Sequence, residues 1–259
     1  MTSSEDRMIA EPGGKLRLFI DAPLGEAAQL EPSAQQAHYL LHVMRATPGD
    51  RVSLFNGRDG EWLAGISEAS RRTCMLTCIR QIATQKDVPD LWLVFAPIKK
   101  TAADYVAQKA TELGVRALQP VFTRRSIVHR INQDRMRANA IEAAEQSGRL
   151  TVPAVREAVE LAKLLQSWPG ERRILFCDEA GGSPIAETLS SAPAGPWAVL
   201  TGPEGGFDPL ERDLIRANPL TVPVSLGSRI LRADTAALAA LGIWQAIRGD
   251  WPEYADRLR

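Results

Sequence analysis

From Leu91 to Arg248 the chain alternates short apolar runs with helix-forming stretches, and this rhythm restricts the fold more than any other feature. The apolar runs are "LWLVFAP", "ALQPVF", "RILFCD" (173–178), "WAVLTG" (197–202) and "TVPVSLG" (221–227). Between them lie "TAADYVAQKATELG", "DRMRANAIEAAEQSG" and "EAVELAKLLQSW", and a last helix is expected from about Asp234 to Arg248. Gly114 and Gly148 stand where a helix end takes a left-handed residue. Alternating strand and helix over this length predicts an α/β domain built on a parallel sheet.

Up to about residue 82 the pattern is strand and turn. "RLFI" (17–20) is a short strand, and "RVSLFNGRDGEWLAGISEA" (51–69) reads as a hairpin with "NGRDG" at its tip. "TCMLTCIRQI" (73–82) alternates like a half-buried strand. One helix interrupts them, "SAQQAHYLLHVMRA", with Ser33 as its N-cap. A small β-barrel over residues 1–82 follows. "ATQKDVPD" (83–90) reads as a linker to the α/β domain of residues 91–259.

Lys plus Arg (31) balance Asp plus Glu (31), so no overall field draws the chain to nucleic acid or membrane. A local basic face remains compatible with that balance. The opening "MTSSEDRMIAEPGGK" lacks the apolar core of a signal peptide, and no apolar run approaches the roughly 20 residues that span a bilayer. A cytoplasmic location is expected, and three cysteines without metal-type spacing suit its reducing conditions. Cys74 and Cys78 are expected to be buried thiols on one side of a strand. His38 and His42 lie four apart on a helix with no third ligand in sight, so no metal is expected.

Two strands end in glycine loops, "LTGPEGG" and "SLGSRILR", at the edge where α/β sheets bind ligands. The first lacks the Gly-Lys-Ser/Thr ending of a phosphate loop, and the early GxGxxG of a nicotinamide-binding oxidoreductase is missing. Two readings fit it. Gly202, Gly205 and Gly206 make a sharp turn before a helix started by Asp208, Pro209 and Glu211. Alternatively the turn wraps a phosphate-free adenosine, and Glu204 beside it suits the cationic S-adenosylmethionine. The alanines at 233, 236, 237, 239 and 240 reflect either helix propensity or close packing.

Five segments, in order, carry a resemblance: "HYLLHVMRATPGDRVSLFNGRDGEW", "QKATELGVRALQPVFTRRS", "AAEQSGRLTVPAV", "LTGPEGGFDPLE" and "VSLGSRILRADTAALAAL". Together they resemble the 16S rRNA uridine-N3 methyltransferases, the RsmE family of the SPOUT superfamily. Departures are small: Met44-Arg45 stands for Leu-Arg, Ala233-Asp234 for Thr-Glu, and Ser147 for a frequent cysteine. The resemblance implies an N-terminal PUA-like barrel that binds RNA and a C-terminal SPOUT-type parallel sheet with a deep trefoil knot. It implies a homodimer, S-adenosylmethionine as cofactor, and 16S rRNA within the small ribosomal subunit as partner. The reaction implied is methylation of N3 of one uridine, position 1498 in standard small-subunit numbering.

Leu200, Thr201, Gly202, Pro203, Glu204 and Gly205 are the cofactor residues expected from the first loop, with Leu226, Gly227, Ile230 and Leu231 from the second. Arg232 is the candidate for stabilising charge on the uracil oxygens, against a structural ion pair with Asp234. Glu204 is either a base, a counter-charge to the sulfonium, or a brace for its loop. Arg45, Arg124, Arg125, Arg130 and Arg149 are the candidates for RNA phosphates, although such a run is also a plain solvated face. A non-catalytic RNA-binding protein on the same scaffold is the competing reading, and intact glycine loops count against it.

Overall fold

The computed structural model describes residues 10–11, 14–97 and 100–252, so the polar N-terminal stretch lies mostly outside the described residues. Contacts divide the chain into two units: Met1–Asp87 with Ala144–Thr151, and Val88–Ala143 with Val152–Arg259.

In the first unit, β1 (Ala10–Glu11) pairs with β2 (Gly14–Lys15). A five-stranded sheet then runs β3-β5-β6-β7-β4, from β3 (Arg17–Phe19), β4 (Gln29–Leu30), β5 (Arg51–Phe55), β6 (Glu61–Ala69) and β7 (Cys74–Ala83). The hairpin tip is fixed by Asn56, whose Oδ1 accepts from the backbone N of Arg58 and Asp59. Register shifts between β6 and β7 bend the sheet around one core of Leu18, Leu40, Leu54, Ile66 and Leu76. Cys74 and Cys78 point into that core, and burial pushes both thiols above their usual pKa.

The helix α1 (Ala34–His38) opens on Ser33 and Gln36, which form a reciprocal capping box. It continues as a π-helical turn, Tyr39–Val43, closed by Met44 N donating to the Tyr39 carbonyl at 2.9 Å. The His38 and His42 rings lie together at 4.8 Å between centroids, tilted by 39°, and His42 Nε2 lies 3.0 Å from the Arg71 carbonyl. Residues 144–151 belong with this sheet because Arg17 gathers them. Its guanidinium donates to the carbonyls of Ala144 (2.9 Å), Glu145 (3.0 Å) and Arg149 (2.9 Å) while pairing with Glu61.

The second unit contains β8 (Leu91–Phe95), α2 (Lys100–Glu112), β9 (Ala117–Phe122) and most of α3 (Gln133–Ser147). There follow β10 (Ala154–Val155), β11 (Val159–Glu160), α4 (Leu161–Gln166), β12 (Arg173–Cys177), β13 (Ser183–Pro184) and α5 (Ile185–Ser191). The chain ends with β14 (Trp197–Thr201), α6 (Pro209–Ala217), β15 (Thr221–Ser225) and α7 (Ala233–Arg248). The sheet is wholly parallel, in the order β10-β9-β8-β14-β12-β15-β13, with β11 also on β9. The helix expected over "EAVELAKLLQSW" shrinks to α4, because Val159 and Glu160 are taken up by the edge of β9.

Strand residues alternate between two covered faces. Leu91, Leu93, Leu175, Trp197 and Val199 pack with α2, α5 and α7, and Trp92, Val94, Ile174, Phe176 and Leu200 pack with α4 and α6. The small side chains of α7 have a packing role: Ala237 and Ala240 are buried where α7 meets α2, α5 and the sheet. Gln245, fully buried on α7, donates Nε2 to the Leu113 carbonyl (2.7 Å) and accepts from Asp250 N (3.2 Å). It thereby satisfies polar groups at two helix ends. Gln245→Leu is expected to lower stability by about 1–3 kcal/mol, seen as a reduced urea midpoint at unchanged slope.

Candidate active site

In the sheet β14, β12 and β15 lie side by side, and each ends in a glycine loop at the same edge. The three loops, "CDEAGG" (177–182), "TGPEGG" (201–206) and "SLGSRILR" (225–232), wall a pocket of about 470 Å³. That volume lies within the usual range for small-ligand sites. Cys177, Asp178 and Glu179 line it from the first loop. Thr201, Gly202, Pro203, Glu204, Gly206 and Phe207 line it from the second, and Leu226 through Arg232 from the third.

Most of the expected cofactor residues therefore meet in one place: Thr201, Gly202, Pro203, Glu204, Leu226, Gly227, Ile230 and Leu231, together with Arg232. Leu200 and Gly205 fall outside the lining. Strand parity turns Leu200 into the core beneath α4 and α6, where it is fully buried. Gly205 lies against Arg125, whose Nη1 donates to its carbonyl at 2.9 Å. Asp178, Glu179 and Phe207 were not foreseen. Their signal was present, since "RILFCDEAGG" is a third apolar strand running into an acidic glycine turn.

The helix α6 braces two of these loops from behind. Asp208 caps it, with Pro209 in the first turn and Glu211 closing the capping box. Buried Glu211 also accepts from Arg124 N (2.8 Å), and Arg124 Nη1 reaches Asp208 Oδ1 at 3.4 Å. Further along, Arg216 donates to Asp178 Oδ2 through Nε (3.0 Å) and Nη2 (2.6 Å). Arg212 Nε pairs with Asp178 Oδ1 at 3.1 Å, and its Nη2 with Glu179 at 2.9 Å. The carboxylate of Asp178 has no solvent exposure, so it is neutralised where it sits.

Gly206 shows why this turn needs glycine. Its φ is +66°, and a Cβ there would lie 2.2 Å from Glu179 Oε1. Gly206→Ala must displace a carboxylate held by Arg212 as well as adopt a left-handed backbone. A loss of about 1–3 kcal/mol is expected, measured as a lower thermal midpoint, together with a disturbed pocket.

Charge is unevenly compensated around the pocket. Among the described residues no ion pair or hydrogen bond engages the side chains of Glu204, Arg229 or Arg232. Arg232 is not paired with Asp234, whose Oδ1 instead accepts from Thr235 N (2.7 Å) and lies 3.3 Å from its Oγ1. Burial pushes the Cys177 thiol up to about 12. Among the described residues no group of three His, Cys, Asp or Glu is placed to hold a metal.

The arginines expected at RNA are divided. Arg124, Arg125 and Arg130 are exposed in the second unit, the first two tied to the "TGPEGG" loop and α6 as above. Arg45, exposed at φ +53°, and Arg149, which donates to Thr151 Oγ1 at 2.9 Å, belong to the first.

Comparison with known proteins agrees with this architecture. Residues 84–245 match the model of an RNA methyltransferase domain, and residues 33–77 that of an RNA methyltransferase PUA domain. Fold and site thus define an RNA methyltransferase of SPOUT type carrying a PUA domain. The ribosomal RNA small subunit methyltransferase E of Rickettsia conorii is 32% identical over 228 residues, 87% of this chain and 93% of that protein. That of Synechocystis is 33% identical over 213 residues, 80% and 69% of the two chains. The crystal structure of the Neisseria gonorrhoeae enzyme of that name, bound to S-adenosylmethionine, superposes with a TM-score of 0.84 at 27% identity, covering 91% and 99%. A Legionella pneumophila methyltransferase in complex with the same cofactor gives 0.83 at 28%, covering 91% and 98%. The chain belongs to the ribosomal RNA small subunit methyltransferase E family.

Proposed function

We propose that this chain transfers a methyl group from S-adenosylmethionine to N3 of one uridine in 16S rRNA of the small ribosomal subunit. The observation that carries the reading is the pocket itself: three strand-end glycine loops with a carboxylate, Glu204, and a guanidinium, Arg232, that have no counter-charge among the described residues. The donor set fits the cofactor. Backbone and apolar groups from Leu226, Leu231 and Phe207 suit an adenosine, and the Glu204 carboxylate repels phosphate but favours a sulfonium. The cofactor named for the Neisseria and Legionella structures, and the rRNA named for the curated relatives, support the assignment.

When bound, S-adenosylmethionine supplies an electrophilic methyl group. The chain's residues do the rest. Thr201, Gly202, Pro203, Leu226, Gly227, Ile230 and Leu231 hold and orient the adenosyl moiety, with Leu200 and Gly205 supporting the loop from its flanks. Glu204 takes the proton that N3 must lose, directly or through water. Arg232 stabilises the negative charge that builds on the uracil oxygens. Arg45, Arg124, Arg125, Arg130 and Arg149 contact RNA phosphates, an interaction that weakens as salt rises.

The same reading gives residues 1–82 as the RNA-binding domain, 83–90 as linker and 91–259 as the methyltransferase domain. It includes a deep trefoil knot, a cytoplasmic location and a homodimer. Ile230, an apolar side chain 98% exposed on a pocket-lining loop, is a group that a second copy would cover.

The test is incorporation of labelled methyl into small subunits from cells lacking this protein, alongside cofactor calorimetry. Binding with incorporation supports the proposal. Binding without incorporation overturns the substrate, and absence of binding overturns the whole reading.

A further inference from the structure

The three carboxylates on the pocket wall differ in what they are free to do. Asp178 is wholly buried and engaged by Arg212 and Arg216, and Glu204 has no counter-charge among the described residues. Glu179 is intermediate. Its side chain is 55% exposed on the pocket wall, while Oε1 is held by Arg212 Nη2 at 2.9 Å. It is also seated on the neighbouring loop, since a Cβ at Gly206 would come within 2.2 Å of Oε1 and 2.7 Å of Oε2. The group is thus fixed from two sides, by a guanidinium on α6 and by the glycine backbone of "TGPEGG".

A carboxylate whose charge is offset by a guanidinium attracts a cation weakly, yet it keeps unused lone pairs as hydrogen-bond acceptors. Fixed in place, it suits a neutral donor of defined geometry better than it suits a sulfonium. Glu179 also lies just past the carboxyl end of β12, beside β14. In dinucleotide-binding α/β sheets of another topology, an acidic side chain past the end of a neighbouring strand hydrogen-bonds a ribose hydroxyl, and Glu179 has the analogous place here. We infer that Glu179 accepts hydrogen bonds from the ribose diol of the cofactor. Arg212, which does not line the pocket, is a positioning residue acting through it. The inference rests on the cofactor reading above and assigns one part of that ligand to one side chain.

The test is a double comparison by calorimetry on the full chain, using S-adenosylmethionine and its 2′-deoxy and 3′-deoxy analogues. Wild type is expected to bind at least one deoxy analogue about 10- to 100-fold more weakly than the parent. Glu179→Ala is expected to bind the parent that much more weakly and to lose the discrimination, so that the two deletions are not additive. Arg212→Ala is expected to reduce the discrimination in part, because Glu179 Oε1 loses the guanidinium that holds it. Glu179→Gln, which conserves shape and one acceptor, is expected to fall between wild type and alanine. Full discrimination in Glu179→Ala overturns the inference, and so does its absence in wild type. Failure of wild type to bind the parent overturns the cofactor reading first, and is distinguishable because no analogue then binds either.

Discussion

Arg232→Ala is expected to slow methyl transfer by about 10²–10³-fold while leaving cofactor affinity within about threefold, the signature of a charge needed only as the transition state forms. The side chain is exposed on the pocket rim and has no ion pair or hydrogen bond among the described residues. Arg232 occupies the N-cap position of α7 but makes no side-chain cap bond, so its removal leaves the helix start intact. A guanidinium left unpaired beside a binding pocket is desolvated only when a partner arrives, and its charge is permanent at any working pH. Arg232→Lys keeps the charge but loses the planar pair of donors, so it should recover part of the rate. The measurement is single-turnover transfer to small subunits with parallel calorimetry. An equal loss in cofactor affinity, or a lower thermal midpoint, would assign the residue to structure instead.

The second large effect is expected at Asp178→Ala. This carboxylate is fully buried, accepts from Ala180 N at 2.9 Å, and faces Arg212 and Arg216 together. Removing it leaves two like charges converging on an empty site, where breaking a buried ion pair costs about 3–5 kcal/mol. The Arg216 side chain is 41% exposed and regains water, so about 2–3 kcal/mol is the expected loss by urea unfolding. Glu179 loses part of its anchor through Arg212, and cofactor affinity should fall with stability. A stability unchanged within about 0.5 kcal/mol would contradict the bracing role of α6.

Local signals in the sequence carried much of this. The Ser33 cap, the "NGRDG" turn, the helix ends at Gly114 and Gly148 and the Asp208-Pro209 start depend on chemistry within a few residues, and each is where the pattern put it. Strand order was not legible. The β14-β12-β15 arrangement that joins three loops depends on long-range pairing, which no local period encodes. For the same reason two of the loops were legible in the sequence, while of the third only the strand "RILFCD" before it was. The attachment of residues 144–151 to the first unit was hidden too, because it depends on Arg17, more than 120 residues away, donating to backbone carbonyls that have no sequence identity. Leu200 stands in the signature loop, and strand parity, which only the folded sheet fixes, sends its side chain into the core.

The central claim is a single chemical product, and the identity of the methylated nucleoside tests it most directly. Small subunits lacking the modification, incubated with the protein and S-adenosylmethionine, should yield one new nucleoside by mass spectrometry. N3-methyluridine, from a single site near the 3′ end of 16S rRNA, is the predicted result. Methylation of another base, of ribose, or of uridine at another ring atom would contradict it.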